Sequence, residues 1–129
     1  SSTQSLAHNS DTTLVYNAED FDPQSTFDTS TGRFTPGVSG KYFLKGTILL
    51  ADTGDGSIHE IYLRQNSSTV ASHRIRGSAS TNMSIEISDV VVSDADDYFY
   101  IMLYHNIGNS VNAQSGTHAT FFTGFKIIE

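Results

Sequence analysis

The sequence predicts an all-β sandwich, on three observations. Polar and apolar residues alternate with period two through most of the chain, and the apolar ones are largely β-branched or aromatic. Clusters of Gly, Asn, Asp and Ser punctuate these runs at short intervals. No segment carries a helical stripe: only "SDADDYFYIMLY" invites one, and its aromatic density favours a strand. The chain has 129 residues, enough for one domain with a sizeable core, and residues 1–129 read as a single domain.

The elements follow in order. "TQSLA" and "TTLVYN" open the chain as two short strands. "STFD" and "GRFT" come next, separated by turn residues Thr29 to Gly32. The stretch "FDTSTGRFTPGVSGKYFL" (27–44) is densely punctuated yet keeps Phe27, Phe34, Tyr42 and Phe43. A linker would not carry those aromatics, and a helix would not carry Pro36, Gly37 and Gly40 so close together. Longer strands are predicted over 41–50, 57–66, 69–76, 83–92, 97–106 and 118–128. That makes about ten strands, the pattern of a sandwich. Tyr42, Leu44, Ile48 and Leu50 share one face of the first long strand.

Two strands look too apolar for one side of a simple sandwich. Phe99, Ile101 and Leu103 share one face of residues 98–104, and Tyr98, Tyr100, Met102 and Tyr104 share the other. In the last strand Phe121, Phe125 and Ile127 alternate with Phe122 and Ile128. An outer sheet face is normally polar. Tyr98, Tyr100, Met102, Tyr104 and Phe122 are therefore candidates for contact with another subunit, where Tyr and Met are enriched.

Composition narrows the function classes. Fourteen acidic against seven basic residues give a net charge of −7, which opposes nucleic acid and anionic membranes as partners. No run approaches the ~18 apolar residues of a membrane-spanning helix. The absence of cysteine removes disulfides and thiol chemistry. The chain begins at Ser1 rather than Met, and so reads as a processed or excised piece of a longer protein.

Catalytic motifs are absent: there is no G-x-S-x-G, no H-E-x-x-H and no phosphate-binding loop. His8, His59, His73, His105 and His118 fall singly on different elements, without metal-ligand spacing. Each reads as a surface or boundary residue, with His105 or His118 a remote option for a metal ligand on a three-fold axis. "ADTGDGS" (51–57) fails the EF-hand pattern, because Gly54 and Gly56 stand where ligands are required. "SDADD" (93–97) reads as a solvated turn that offers calcium a weak site at most. No cofactor or structural metal is expected, and no enzymatic activity. Asn66 and Asn82 begin formal glycosylation sequons.

Tyr16, Asp22, Phe27, Phe34, Gly40 and Tyr42 fall at the intervals of a known signature, with Leu44 and Gly46 standing where it has aromatics. "TFFTGFKI" (120–127) matches its closing strand, and "SDADDYFYIML" the turn and strand before, with Asp96 in place of Gly. On these residues the chain resembles the complement C1q-like domain of the C1q and tumour-necrosis-factor superfamily over nearly its whole length. In style it looks most like bacterial and phage-encoded members.

The resemblance implies a ten-stranded antiparallel jelly roll that assembles as a compact homotrimer. It implies a non-enzymatic recognition head on a phage fibre, bacterial surface appendage or collagen-like stalk, binding a cell-surface receptor or glycan outside the cell. A structural trimerisation or capping module of a virion, and a monomeric carbohydrate-binding jelly roll, are the alternatives. Strand parity places loops 51–57, 77–80 and 106–117 at one end, opposite the end reached by the last strand. Asn109, Asn112, Gln114, Asp52 and Asp55 are the candidate ligand contacts there, because amides and carboxylates suit sugar hydroxyls.

Overall fold

The computed structural model describes residues 3–16, 26–51, 53–78, 81–114 and 119–127. They form eleven strands in two antiparallel sheets. Four are short: β1 (Gln4–Leu6), β2 (Thr12–Thr13), β3 (Phe27–Asp28) and β4 (Arg33–Phe34). Five are long: β5 (Gly40–Leu50), β6 (Ile58–Gln65), β7 (Ser68–Arg76), β8 (Met83–Ser93) and β9 (Phe99–His105). β10 (Val111–Ala113) and β11 (Phe121–Lys126) complete the set. β10 lies within the predicted loop 106–117, so one strand more is present than the sequence predicts. Among the described residues no helix is long and apolar enough to cross a membrane.

The first sheet is organised around β5. β8 pairs along its whole length on one side, from Gly40↔Ser93 to Leu50↔Met83. β11 pairs on the other side, and β10 joins at Ala113↔Leu50 with β1 outside it. The second sheet is organised around β9, with β6 and then β7 on one side and β2 and β4 on the other.

The alternation read from the sequence sets the core. Tyr42, Leu44, Ile48 and Leu50 of β5 are buried against Ile61, Leu63, Phe99, Ile101 and Leu103 of the second sheet. The opening punctuation also resolves as expected. Phe27 and Phe34 pair directly across the β3–β4 turn and both pack on the core. The turn closes with the Gly32 N–H donating to the Asp28 carbonyl (2.8 Å). Gly32 has φ +72°, and a Cβ there would collide with the Leu14 carbonyl oxygen, so only glycine fits.

Tyr16 fills the centre of this region, edge-on to Phe27 (ring centroids 6.2 Å) and tilted against Phe122 (6.1 Å). Its hydroxyl is buried without a hydrogen-bond partner, and burial raises its pKa. A buried hydroxyl left unsatisfied costs about 1–3 kcal/mol. Tyr16→Phe is therefore expected to stabilise the fold by about 1 kcal/mol, measured by chemical denaturation. Loss of stability would mean that the hydroxyl has a partner after all.

Candidate functional site

Besides its core, the sandwich presents an end built of loops and two outer sheet faces. β5 rises to the loop end and β11 descends from it, leaving Lys126 beside Tyr42 at the opposite end. The loops cohere through backbone hydrogen bonds. Gly56 N–H donates to the Gly77 carbonyl (3.0 Å), Gly77 N–H to the Ser57 carbonyl (2.7 Å) and Thr53 N–H to the Thr81 carbonyl (3.2 Å). Asn106 bridges to β6, its side-chain oxygen accepting from Ile58 N–H at 2.7 Å. The described parts of the β5–β6, β7–β8 and β9–β10 connections thus share one end, as strand parity predicts.

The candidate ligand contacts are spread rather than gathered. Asp55 is exposed at the tip of the β5–β6 loop, between Gly54 (φ +68°) and Gly56 (φ +71°). Asn109 is exposed in the β9–β10 turn. Asn112 is not a loop residue: it lies in β10 opposite Ser5, on the outer face of the first sheet. Its neighbours Val111 and Ala113 are buried, so alternation turns it outward. Gln114 is half-buried just beyond, its N–H donating to Leu49. Asp52 and His118 lie outside the described residues.

Two histidines depart from the expectation of a surface or boundary position. His59 and His105 are both fully buried. They sit directly opposite each other across β6 and β9, ring centroids 6.0 Å apart and nearly parallel. His59 Nε2 meets the Thr53 carbonyl at 2.9 Å, and His105 Nε2 meets the Leu6 carbonyl at 2.8 Å. His8 stacks obliquely above His105, centroids 6.4 Å apart. Sequence parity carried the signal: His59 shares a face with Ile61 and Leu63, and His105 with Phe99, Ile101 and Leu103. A histidine inside the sandwich cannot reach a three-fold axis, so the axial-ligand option for His105 is corrected. Among the described residues no three His, Asp or Glu side chains come together to hold a metal.

The Asp94–Asp97 turn is a structural tie. Asp97 accepts from the side chains of Asn66 (2.7 Å) and Gln65 (2.8 Å) and from Asp94 N–H (2.9 Å). These bonds, that from Asn66 foremost, hold its carboxyl below the usual range.

The two outer faces differ. On the second sheet, Tyr98, Tyr100, Met102 and Tyr104 do point away from the core, and each is half-buried by its neighbours. Tyr98 and Tyr100 stack (6.0 Å), and the Arg33 guanidinium caps Tyr98 at 4.2 Å. Arg74 binds Glu60 (2.6 Å), and the Tyr104 hydroxyl donates to Asn9 (3.0 Å). Burial, then the Glu60 contact, pushes Tyr62 up to about 12. Phe122 corrects its expected place: it turns inward, between Tyr16, Phe27 and Phe34.

The exposed large apolar side chains lie mainly on the other sheet. Phe125, Phe43 and Val90 form one row across β11, β5 and β8. Phe43 and Phe125 touch (5.3 Å), and Phe125 is 58% exposed, Val90 53% and Val92 67%. This patch sits at the half of the sheet away from the loops.

No curated protein matches the chain. Solved structures do. The Eiger TNF of S. frugiperda superposes with a TM-score of 0.70 at 12% identity, covering 98% of this chain and 86% of that one. The globular domain of zebrafish complement 1qA superposes with a TM-score of 0.64 at 19% identity, covering 98% and 97%. At such identities the likeness establishes the jelly-roll fold. Domains of this kind are typically trimeric, non-enzymatic recognition modules found outside cells or at surfaces. The family model of the C1q domain matches residues 1–127, and with the two-sheet architecture and the aromatic frame of Tyr16, Phe27, Phe34 and Tyr42 in place, the chain belongs to the C1q domain family.

Proposed function

We propose that this chain is a non-enzymatic recognition head that works as a homotrimer, packs through the outer face of its first sheet and presents its loop end to a cell-surface ligand. The observation that carries this reading is the Phe125–Phe43–Val90 row. Three large apolar side chains in register on a solvent-facing sheet, with Val92 beside them, are out of place on an isolated subunit. A neighbouring subunit covering that row would remove them from water. On the other sheet, by contrast, Tyr98 and Tyr100 stack, Arg33 caps Tyr98 and the Tyr104 hydroxyl bonds Asn9, as on a face open to solvent.

Geometry then separates assembly from recognition. The row lies at the half of the sheet remote from the loops, so packing there leaves Asp55 and Asn109 at a free end. Exposed acid and amide side chains on glycine-rich turns suit hydroxyl-rich ligands such as glycans. The setting that fits is a fibre or stalk on a virion or bacterial surface, outside the cell.

Sedimentation of the wild-type chain should give three times the 14.0 kDa subunit mass. Asp55→Ala with Asn109→Ala should keep that mass and weaken binding on a glycan array or to whole cells at least tenfold. A well-behaved monomer would instead favour a single-chain carbohydrate-binding jelly roll. Unchanged binding by an intact trimer would move the ligand to the sides of the assembly.

A further inference from the structure

We propose that His59 is an acid-sensitive latch on the loop end: neutral, its ring clips the β5–β6 loop to the sandwich, and charged, it releases that loop while the opposite end stays folded.

The geometry defines which protonation state the latch needs. His59 Nε2 donates to the Thr53 carbonyl (2.9 Å), so its Nδ1 is the unprotonated nitrogen. That Nδ1 is buried and has no partner. A second proton would therefore stand on a buried atom with no acceptor. His105 Nε2 donates to the Leu6 carbonyl (2.8 Å), and its Nδ1 faces the Ile107 N–H at 3.4 Å.

The surroundings offer no compensation. From the β1–β2 turn the facing group is His8, itself a base, with its Nδ1 taken by Gly108 N–H (3.0 Å). From the β5–β6 loop come the Thr53 carbonyl and the Ser57 hydroxyl, which is 3.3 Å from His59 Nε2. Asp55 stands exposed at that loop's tip. From the end of β7, Arg76 reaches the Gly56 carbonyl (3.1 Å), adding a cation to the same loop. Gly77, which follows it, packs its backbone against His59. β1 and the β9–β10 turn supply only backbone groups to the rings. Among the described residues no carboxylate bonds either ring. Burial, and secondarily the neighbouring His105, hold His59 below the usual 6.5, against the raising effect of the Thr53 bond.

The sign follows. A base held below its free value binds fewer protons in the closed state than in the open one. Closure is therefore fully favoured above pH 6.5 and weakens as pH falls below it. For His59 alone the loss is about tenfold in the closing equilibrium between pH 7.5 and 5.5. The latch acts on the loop end whether or not that end holds a ligand, so it stands apart from the recognition reading.

Amide hydrogen exchange on the full chain between pH 7.5 and 5 tests it, with each rate divided by its intrinsic chemical rate. Gly56 and Gly77 N–H groups report the loop end, and Asn66 N–H, bonded to the Tyr98 carbonyl (2.9 Å), reports the opposite end. Gly56 and Gly77 should lose protection about tenfold between pH 7.5 and 5.5, with Asn66 unchanged. His59→Gln, which keeps a donor at the Nε2 position and cannot charge, should flatten the Gly56 and Gly77 response. Equal loss at Asn66, or an undiminished response in His59→Gln, would overturn the proposal. If that variant does not fold, the imidazole proton resonances of the wild-type chain decide. His59 gaining charge while Gly56 stays protected would also overturn it.

Discussion

Phe43→Asp is expected to sediment as a monomer at micromolar concentration, where the wild-type chain is expected to sediment as a trimer. Phe43 stands half-buried at the middle of the row, with exposed Phe125 directly opposite on β11 and exposed Val90 opposite on β8. In the proposed assembly this row loses its water to a neighbouring subunit. A carboxylate placed there would be buried without a partner, at a cost of roughly 3–5 kcal/mol. Each ~1.4 kcal/mol is tenfold in a dissociation constant, so dissociation should strengthen at least a hundredfold. The side chain lies outside the sandwich, so the subunit's own core of Tyr42, Leu44 and Ile48 is untouched. Its circular dichroism should therefore remain that of the wild-type chain. Tyr100→Asp is the control on the opposite sheet and should remain trimeric. If Tyr100→Asp dissociates and Phe43→Asp does not, the interface lies on the tyrosine face of β9.

Gly46→Ala is expected to destabilise the fold by about 2–3 kcal/mol, or roughly 10 °C in melting temperature at fixed protein concentration. Gly46 occupies an inward-facing position of β5, between Leu44 and Ile48. A Cβ there would stand 2.7 Å from Ile101 Cγ1, 2.9 Å from its Cδ1 and 3.2 Å from the Tyr16 hydroxyl. All three atoms belong to buried side chains, which cannot withdraw without opening the core. Gly46→Phe should not fold at all. Ile101→Val removes Cδ1, the 2.9 Å contact, and keeps Cγ1, so Gly46→Ala with Ile101→Val should recover only part of the loss. The two changes touch, and additivity is not expected. Equal stability of Gly46→Ala and the wild-type chain would show that the space beside Ile101 is open.

Gly46 also shows where the sequence was readable and where it was not. Against the family's signature it stood out as a missing aromatic, with no visible reason. The structure supplies one: the volume beside Gly46 is taken from the other sheet by Ile101 and from the N-terminal segment by Tyr16. Residues 46, 101 and 16 are far apart along the chain. Only the packing of two sheets brings them together, and no local pattern encodes their combined volume.

What the sequence by itself determined is the set of properties carried by alternation and turn chemistry. A strand has period two, so the inward faces of β5 and β9 followed from residue order alone. Strand parity likewise placed the β5–β6, β7–β8 and β9–β10 connections at one end, because successive antiparallel strands must reverse. The same parity held the burial of His59 and His105, although their polarity pointed to the surface. What only the tertiary structure decided is which apolar face remains uncovered. Tyr98, Tyr100, Met102 and Tyr104 look as apolar in sequence as Phe43, Val90 and Phe125. The first group is half-covered by its neighbours and Arg33, whereas in the second Val90 and Phe125 stand exposed on either side of a half-buried Phe43. It also decided that Phe122 turns inward and that Asn112 belongs to a strand. Exposure depends on what neighbouring strands bring alongside, and that is a property of sheet order and register, which one chain's residue order does not contain.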